Sequence, residues 1–442
     1  MEQTALTEEK GKLKKVAGIT LFESSVQWYC FLLYGSAAGT VFNKVFFSQV
    51  SNPTTALLLS YLTFAVGYIG GPFGAVFFGH LGDKKGRKAT MYASLLMMGI
   101  STSIIGLLPP VATAGVWVAF VLQLMRLGQG FGRGGTWGGG ILMAYENVPE
   151  DKRAFYAAIP QLGMPIGLGL ASIVIAVPSA LLPEEDFLAW GWRIAFLFAI
   201  VLTLIVVRMK GHMMETDDYK KAQAKLEAEE AEGKKHKVGF SSMVKDYWRT
   251  LLLGCGTRWV DGTFYNVFIV WIMSYCTGWL GMPLSATYTI TIAVCICEMP
   301  FTLFGGWCAG KIGKTRTFVL GSTLAAVLSI PTLKMIDLAN GNVFLTALCI
   351  IVGWSFAYNM IWSVLSSLWS SYFETEVRYS GISFVYHVPS FLVAGLVPTI
   401  CTLLINYGNG NTIYVGIYST IVALISVFCA LELKRRHERG KK

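Results

Sequence analysis

The sequence predicts an all-α polytopic membrane protein, with twelve transmembrane helices in two six-helix halves. Three observations carry this. Only 14% of the 442 residues are charged and 54% are hydrophobic, whereas ordinary soluble domains are about 25% charged. The charges clump between apolar runs of roughly the 20 residues a helix needs to cross a bilayer. The short connections alternate between basic and base-free. This composition excludes a disordered chain and argues against a soluble enzyme.

The spans are expected at about 19–46, 57–79, 89–108, 114–143, 155–182, 190–208, 250–278, 285–308, 317–337, 343–371, 381–405 and 412–432. Helices are the open-ended way to satisfy the backbone in lipid. Lys84, Lys85, Arg87 and Lys88 follow the second span, Lys152 and Arg153 the fourth, and Lys311, Lys314 and Arg316 the eighth. Arg378 follows the tenth. Loops 48–56, 109–115, 279–284 and 406–411 carry no Lys or Arg, and loop 183–189 carries only Glu184, Glu185 and Asp186 as charges. The positive-inside rule then places both termini and every even-to-odd loop in the cytoplasm. It also accounts for the net charge of +10 and the pI near 9.1 better than nucleic-acid binding does. Lys10, Lys12, Lys14 and Lys15 precede the first apolar run, which reads as a retained helix rather than a signal peptide.

A polar segment divides the chain into an N-terminal bundle, 1–210, a cytoplasmic linker, 211–248, and a C-terminal bundle, 249–442. Within the linker, Tyr219–Lys235 mixes Lys and Glu at helical spacing, as a solvated surface helix does. The halves look like weak repeats. Gly79, Gly82, Asp83, Gly86 and Arg87 close the second span, while Gly306, Gly310 and Gly313 close the eighth. Repeated halves around a midplane site are the architecture of many secondary transporters.

Cys30, Cys255, Cys276, Cys295, Cys297, Cys349, Cys401 and Cys429 lie in apolar runs and read as small apolar filler. Cys295 and Cys297 point to different helix faces, which argues against a metal site. The glycine-rich stretch 128–140 lacks the strand-loop-helix context of a nucleotide loop. Close helix packing explains it better. No cofactor and no metal are expected, and no nucleophile constellation or metal-binding motif points to an enzyme.

The decapeptide 79–88 resembles the loop signature of the major facilitator superfamily, and Arg126, Gly128, Gln129 and Gly130 resemble its fourth-helix motif. More narrowly, the chain resembles the metabolite:proton symporter family, which includes shikimate, α-ketoglutarate and osmoprotectant permeases. The likeness rests on fragments in order. They are Trp28 and Tyr29 with Tyr34 and Gly35; Gly134 and Gly135 with Trp137 to Gly139; and Glu146, Pro149 and Arg153. Next come Pro160, Gln161, Gly163, Pro165 and Gly167; Phe187 to Arg193; and Phe373 to Gly381. The resemblance implies that Asp83 and Arg87, with Glu146 and Arg153, form a cytoplasmic charge relay that holds one transport state. It also implies a monomer in a bacterial inner membrane, in contact with lipid, that binds a small-molecule substrate and protons.

The departures matter. Gln27, Cys30 and Thr136 stand where the family commonly has carboxylates. Those acids are natural proton carriers. Exchange or facilitated diffusion therefore competes with proton symport.

Six ionisable residues fall within the spans: Glu23, Arg126, Arg133, Arg258, Asp261 and Glu298. Each must face an interior cavity or a partner. Arg133 and Arg126, two turns apart on one face, are candidates to bind an anionic substrate. Arginine presents a planar fork suited to a carboxylate. Pairing of Arg133 with Glu23 or a packed structural role is the alternative, and Arg126 reads equally as a structural residue and as a site residue. Arg258 and Asp261 are three apart and can pair on one face. Arg258 can also meet substrate. Asp261, Glu298, His387 and Glu23 are candidates to carry protons. His387, next to Tyr386, stands where the family usually has Gln. Gln27, Tyr34, Gln161, Tyr265, Asn266, Tyr358, Asn359, Trp362 and Tyr386 are expected substrate contacts near span centres. The function expected is alternating-access transport of a small organic anion such as a mono- or dicarboxylate. Proton coupling enters through the resemblance. A non-transporting sensor is the reading from another class.

Overall fold

The computed structural model describes residues 2–85, 87–146, 153–210 and 240–440. Side chains are described at those positions except 2–17, 79–80, 82–89, 136–146, 153–154, 157, 210, 240–243, 375–376 and 379. The expected surface helix at Tyr219–Lys235 lies outside the described residues. All the regular structure among them is helical.

Helix α1 spans Glu2–Ala37 and continues through a π-helical turn, Ala38–Phe42. Next come α2 (Pro53–Lys85), α3 (Arg87–Leu107) and α4 (Trp117–Glu146). Short turns at Arg153–Ala158 and Pro160–Leu162 lead into α5 (Gly163–Leu181), and a π turn at Phe187–Gly191 leads into α6 (Arg193–Lys210). The second set begins with α7 (Phe240–Tyr265), extended by a π turn, Asn266–Trp271, and by Ile272–Gly278. It continues with α8 (Leu284–Ile312), α9 (Lys314–Ala339) and α10 (Phe356–Ser370), the last preceded by Val343–Ile350 and a π turn. It ends with α11 (Thr375–His387), which runs on through Phe391–Gly395 to Val397–Tyr407, and α12 (Ile413–Glu438).

Local chemistry sets the ends. Asn52 accepts hydrogen bonds from the Thr54 and Thr55 amides at 2.9 and 3.2 Å. Pro53, with no amide hydrogen to satisfy, opens α2 behind it. Asn342 caps Val343–Ile350 through the Leu345 amide at 3.0 Å. Gly313, at φ 92°, makes the turn between α8 and α9 in a region closed to most side chains. Two helices begin earlier than the apolar pattern suggests: α1 is helical from Glu2 and α7 from Phe240. Hydropathy locates apolar residues, and a polar helical extension falls outside that signal.

Among the described residues, nine helical stretches are long and apolar enough to cross a membrane. The other three expected spans, 19–46, 114–143 and 250–278, hold Glu23, Arg126, Arg133, Arg258 and Asp261. Buried charge lowers the hydropathy of the helices that carry it.

In the first set, α4 packs along both α2 and α3, and α1 lies against α5 and α6. In the second, α9 packs on α12 and α10, and α8 on α10. The sets meet along two seams, α5 against α8 and α2 against the later part of α11.

Glycine permits the α2–α4 approach. A Cβ on Gly130 would sit 1.7 Å from the Gly67 carbonyl oxygen. The glycine-rich stretch is thus used for close helix contact.

Arg126 fastens the same bundle. Its Nε donates to the Phe64 carbonyl at 3.2 Å, and Nη1 donates to the Phe31 carbonyl at 3.2 Å and to Gln129 Oε1 at 2.9 Å. Gln129 Nε2 donates onward to the Cys30 carbonyl at 3.1 Å and to Thr102 Oγ1 at 2.7 Å. This node joins α1, α2, α3 and α4. The Arg126 side chain is 0% exposed, and its Nε and Nη1 are directed at protein acceptors.

Two stability losses follow. Gly130→Val should cost ~1–3 kcal/mol through overpacking. Arg126→Gln should cost at least as much, because each hydrogen bond to a charged group is worth ~1.5–3 kcal/mol. Thermal unfolding followed by tryptophan fluorescence in detergent would register both. An unchanged midpoint in either variant would contradict the packing described.

Candidate functional site

The polar centre of the protein forms where the seams meet. Arg258 and Asp261 lie on one face of α7 and form a salt bridge through Nη1 and Oδ2. The second carboxylate oxygen of Asp261 accepts a hydrogen bond from Tyr358 Oη of α10 at 2.8 Å. Tyr358 also touches Met164 Sδ of α5 at 3.9 Å, so the group reaches across a seam.

Tyr386 of α11 draws two cations together. The Arg258 guanidinium carbon lies 4.5 Å from its ring centroid, and that of Arg133, from α4 in the other set, lies 5.1 Å from it. Arg133 is further lined by Phe31 at 4.1 Å, Tyr68 at 5.1 Å and Trp28 at 5.5 Å. Ring faces attract a guanidinium, and more strongly where water is excluded. Arg133, Arg258, Asp261 and Tyr386 are at most 3% exposed. The arrangement is therefore an occluded one, shut from solvent on both sides.

Contacts between the two sets close it at each end. Toward the base-free loops, Tyr61 donates to Ser274 Oγ at 2.7 Å, and Thr40 and Tyr288 hydroxyls lie 3.0 Å apart. Toward the basic loops, Gln161 Nε2 donates to the Trp362 carbonyl, and Trp362 Nε1 donates back to the Gln161 carbonyl, each at 3.1 Å. The Trp362 ring meets Trp28 edge-on at 5.6 Å.

Glu298 of α8 lies beyond Tyr358 and is 0% exposed. Its neighbours are Tyr265, Tyr358 and Asn359. Asn359 Nδ2 donates to the Ser355 carbonyl at 2.8 Å, and its Oδ1 accepts from Thr302 at 2.6 Å. Tyr358 stacks on Trp354 at 4.8 Å, with Tyr265 5.8 Å from Tyr358. These rings form an aromatic wall between Glu298 and Asp261.

The remaining expected residues are more scattered. Gln27 is buried on α1. Tyr34 donates to Thr63 at 2.7 Å and its ring lies 4.3 Å from Arg126, inside the first bundle. Asn266 donates to the Gly262 carbonyl at 2.7 Å, where α7 passes into its π turn. His387 presents Nδ1 to Gly71 of α2, where a Cβ would come within 2.7 Å. Glu23 is buried on α1, toward Tyr92 of α3. The relay candidates Asp83, Arg87, Glu146 and Arg153 have side chains outside the described residues.

Three contributors to the centre are absent from the sequence-based candidates: Trp28, Phe31 and Tyr68. Tyr68 follows Gly67 and precedes Gly70 and Gly71, and a large ring among small residues marks a crossing point. Trp28 and Phe31 are three apart on α1, hence on one face.

Residues 17–398 match the model of the Major Facilitator Superfamily. The inner membrane metabolite transport protein YhjE of Escherichia coli (strain K12) is 35% identical over 423 residues, covering 94% of this chain and 93% of that one. The shikimate transporter of the same organism is 33% identical over 413 residues, covering 92% of each. Its proline/betaine transporter is 30% identical over 436 residues, covering 98% of this chain and 86% of the other. Among solved structures, the D-xylose-proton symporter aligns with a TM-score of 0.74 and 16% identity, covering 95% of this chain and 96% of that one. At that identity the likeness concerns the fold. The family and these relatives are transporters rather than enzymes. By the breadth of these matches and by its own motifs, the chain belongs to the major facilitator superfamily.

Proposed function

We propose that this protein carries a small organic carboxylate across the inner membrane of a bacterium by alternating access, driven by protons. The observation that supports this best is the pair of guanidinium groups at Tyr386. Arg133 comes from one set of helices and Arg258 from the other. A carboxylate between them would hold both halves at once, and its Arg258 contact would compete with Asp261. Among the substrates named for the relatives, shikimate is a carboxylate anion, and proline and betaine are zwitterions that carry a carboxylate beside a cationic nitrogen. Trp28, Tyr68, Tyr358 and Trp362 would form the apolar walls of the site.

In this reading, bundles 1–210 and 249–442 rock about the centre, joined by the cytoplasmic segment 211–248. Twelve helices span the membrane, both termini face the cytoplasm, and the working unit is a monomer. Opening toward the basic loops separates Gln161 from Trp362. Opening toward the other side separates Tyr61 from Ser274. Binding energy from the carboxylate offsets the desolvation of the two cations, and the closed form follows.

Counterflow in proteoliposomes tests this, using shikimate, α-ketoglutarate, lactate and malate with and without a pH gradient. Arg133→Gln should lower counterflow roughly 10- to 100-fold, the worth of a charge-assisted hydrogen bond. Arg133→Lys should restore only part, since a point charge does not replace the planar fork. Undiminished exchange by Arg133→Gln would remove the carboxylate reading. Tyr358→Phe should have a smaller effect, up to about tenfold, because its hydroxyl holds Asp261 rather than the carboxylate ligand and Asp261 keeps Arg258. A loss as complete as that of Arg133→Gln would instead make Tyr358 a direct substrate ligand.

A further inference from the structure

The centre holds two acids in opposite circumstances. Asp261 has a guanidinium on one oxygen and a tyrosine hydroxyl on the other. Glu298 is equally buried, yet among the described residues no cationic nitrogen lies within 4.0 Å of it, and the polar side chain beside it is the neutral amide of Asn359. From α7 comes Tyr265, with Asp261 one turn further back. From α10 come Tyr358 and Asn359, and from α8 itself Cys295 and Thr302. Helix α5 has no titratable residue, and the charged residues of α9 sit at its two ends. Of the other elements packed on α8, the turn Arg153–Ala158 carries Tyr156 and Arg153, the latter with its side chain outside the described residues, Val343–Ile350 carries Cys349, and Ile272–Gly278 carries Tyr275 and Cys276. No counter-ion reaches Glu298 from any of these described side chains.

A bare carboxylate in such a place is far more costly than a neutral carboxylic acid. In the occluded form the Glu298 side chain therefore carries a proton. In a form open to either face, water reaches the seam and the carboxylate is solvated, so the proton can leave. A group that is protonated when shut and able to ionise when open is a coupling site.

We propose that Glu298 is the proton carrier of this transporter. It takes up one proton from water on one side, holds it as the O–H of a neutral acid through occlusion, and returns it to water on the other side. No other bond is made or broken. The proposal rests on the proton-driven reading above and gives it a residue in the second set of helices. There the acid lies across the Tyr358 wall from the arginine pair. Tyr358, bonded to Asp261 and facing Glu298, links occupancy of the two places. Asp261 is then the fixed counter-ion of Arg258 and not the carrier.

Proteoliposomes with Glu298→Gln provide the test, with labelled shikimate and α-ketoglutarate as probes. Glutamine mimics the neutral acid but cannot release a proton. Counterflow, which needs no net proton movement, should stay within about twofold of wild type. Accumulation driven by a one-unit pH gradient should fall from about tenfold, the limit for one proton per substrate, to no accumulation. Glu298→Asp should regain part of it. Accumulation by Glu298→Gln equal to wild type overturns the proposal. If that variant loses counterflow as well, infrared spectroscopy of the purified protein decides. A deuterium-sensitive carbonyl band of a protonated acid, present in wild type and in Asp261→Asn but missing from Glu298→Gln, supports the proposal. Its persistence in Glu298→Gln overturns it. If wild type exchanges neither probe, the carboxylate reading fails, and the infrared result still stands for or against Glu298.

Discussion

The interior of this protein is organised by the need to keep guanidinium groups out of water without exposing them to lipid. A charge in that setting is tolerable only with aromatic faces, acceptors or a counter-ion around it. Arg126 meets the requirement with carbonyl oxygens and Gln129, Arg258 with Asp261, and Arg133 within a lining of four rings. Much of the packing serves these three solutions. The glycines of α2 and α4 bring backbones close enough for Arg126 to reach carbonyls on two other helices. Trp28 and Phe31 turn α1 toward α4. Tyr386 carries α11 to the meeting point of the two helix sets, where it is shared by Arg133 and Arg258. Buried charge acts here less as a source of stability than as a device that fixes which helix faces which.

The closed form has a mechanical consequence. The inter-set hydrogen bonds are few and at opposite ends, with Tyr61 and Ser274 at one and Gln161 and Trp362 at the other. Between the ends the sets also meet through the Arg133–Tyr386 and Tyr358–Met164 contacts, and among the described residues no salt bridge joins them. Neutral hydrogen bonds of this kind are worth ~0.5–1.5 kcal/mol each. Opening either end is therefore within reach of the binding energy of one small ligand. The surroundings of Asp261 and Glu298 differ: one acid is paired with Arg258 and Tyr358, and the other has no cation within 4.0 Å among the described residues.

Much of this was legible in the sequence wherever the signal was local. Three-residue spacing correctly pairs Arg258 with Asp261. The glycine-rich stretch of the fourth span points to close helix contact. Arg126 and Arg133 do share a face, since both lie against Phe31. What was not legible depends on helix rotation and on partners distant in the chain. Nothing near Gln161 announces Trp362, 201 positions away. Nothing near Arg126 says that its donors meet the carbonyls of Phe31 and Phe64 rather than a substrate. Hydropathy also understated α1, α4 and α7, since the charges that make these helices functional dilute the apolar signal that identifies a span.

The role we propose for Arg133 is recognition of a carboxylate. The most direct measurement is the affinity of wild type and of Arg133→Gln for shikimate and for its primary amide, which keeps the ring and hydroxyls but removes the negative charge. With Arg133 in that role, wild type prefers the acid by roughly 10- to 100-fold, the worth of one charge-assisted hydrogen bond, and the variant loses most of this preference. A variant that weakens acid and amide equally, leaving the preference intact, would contradict it.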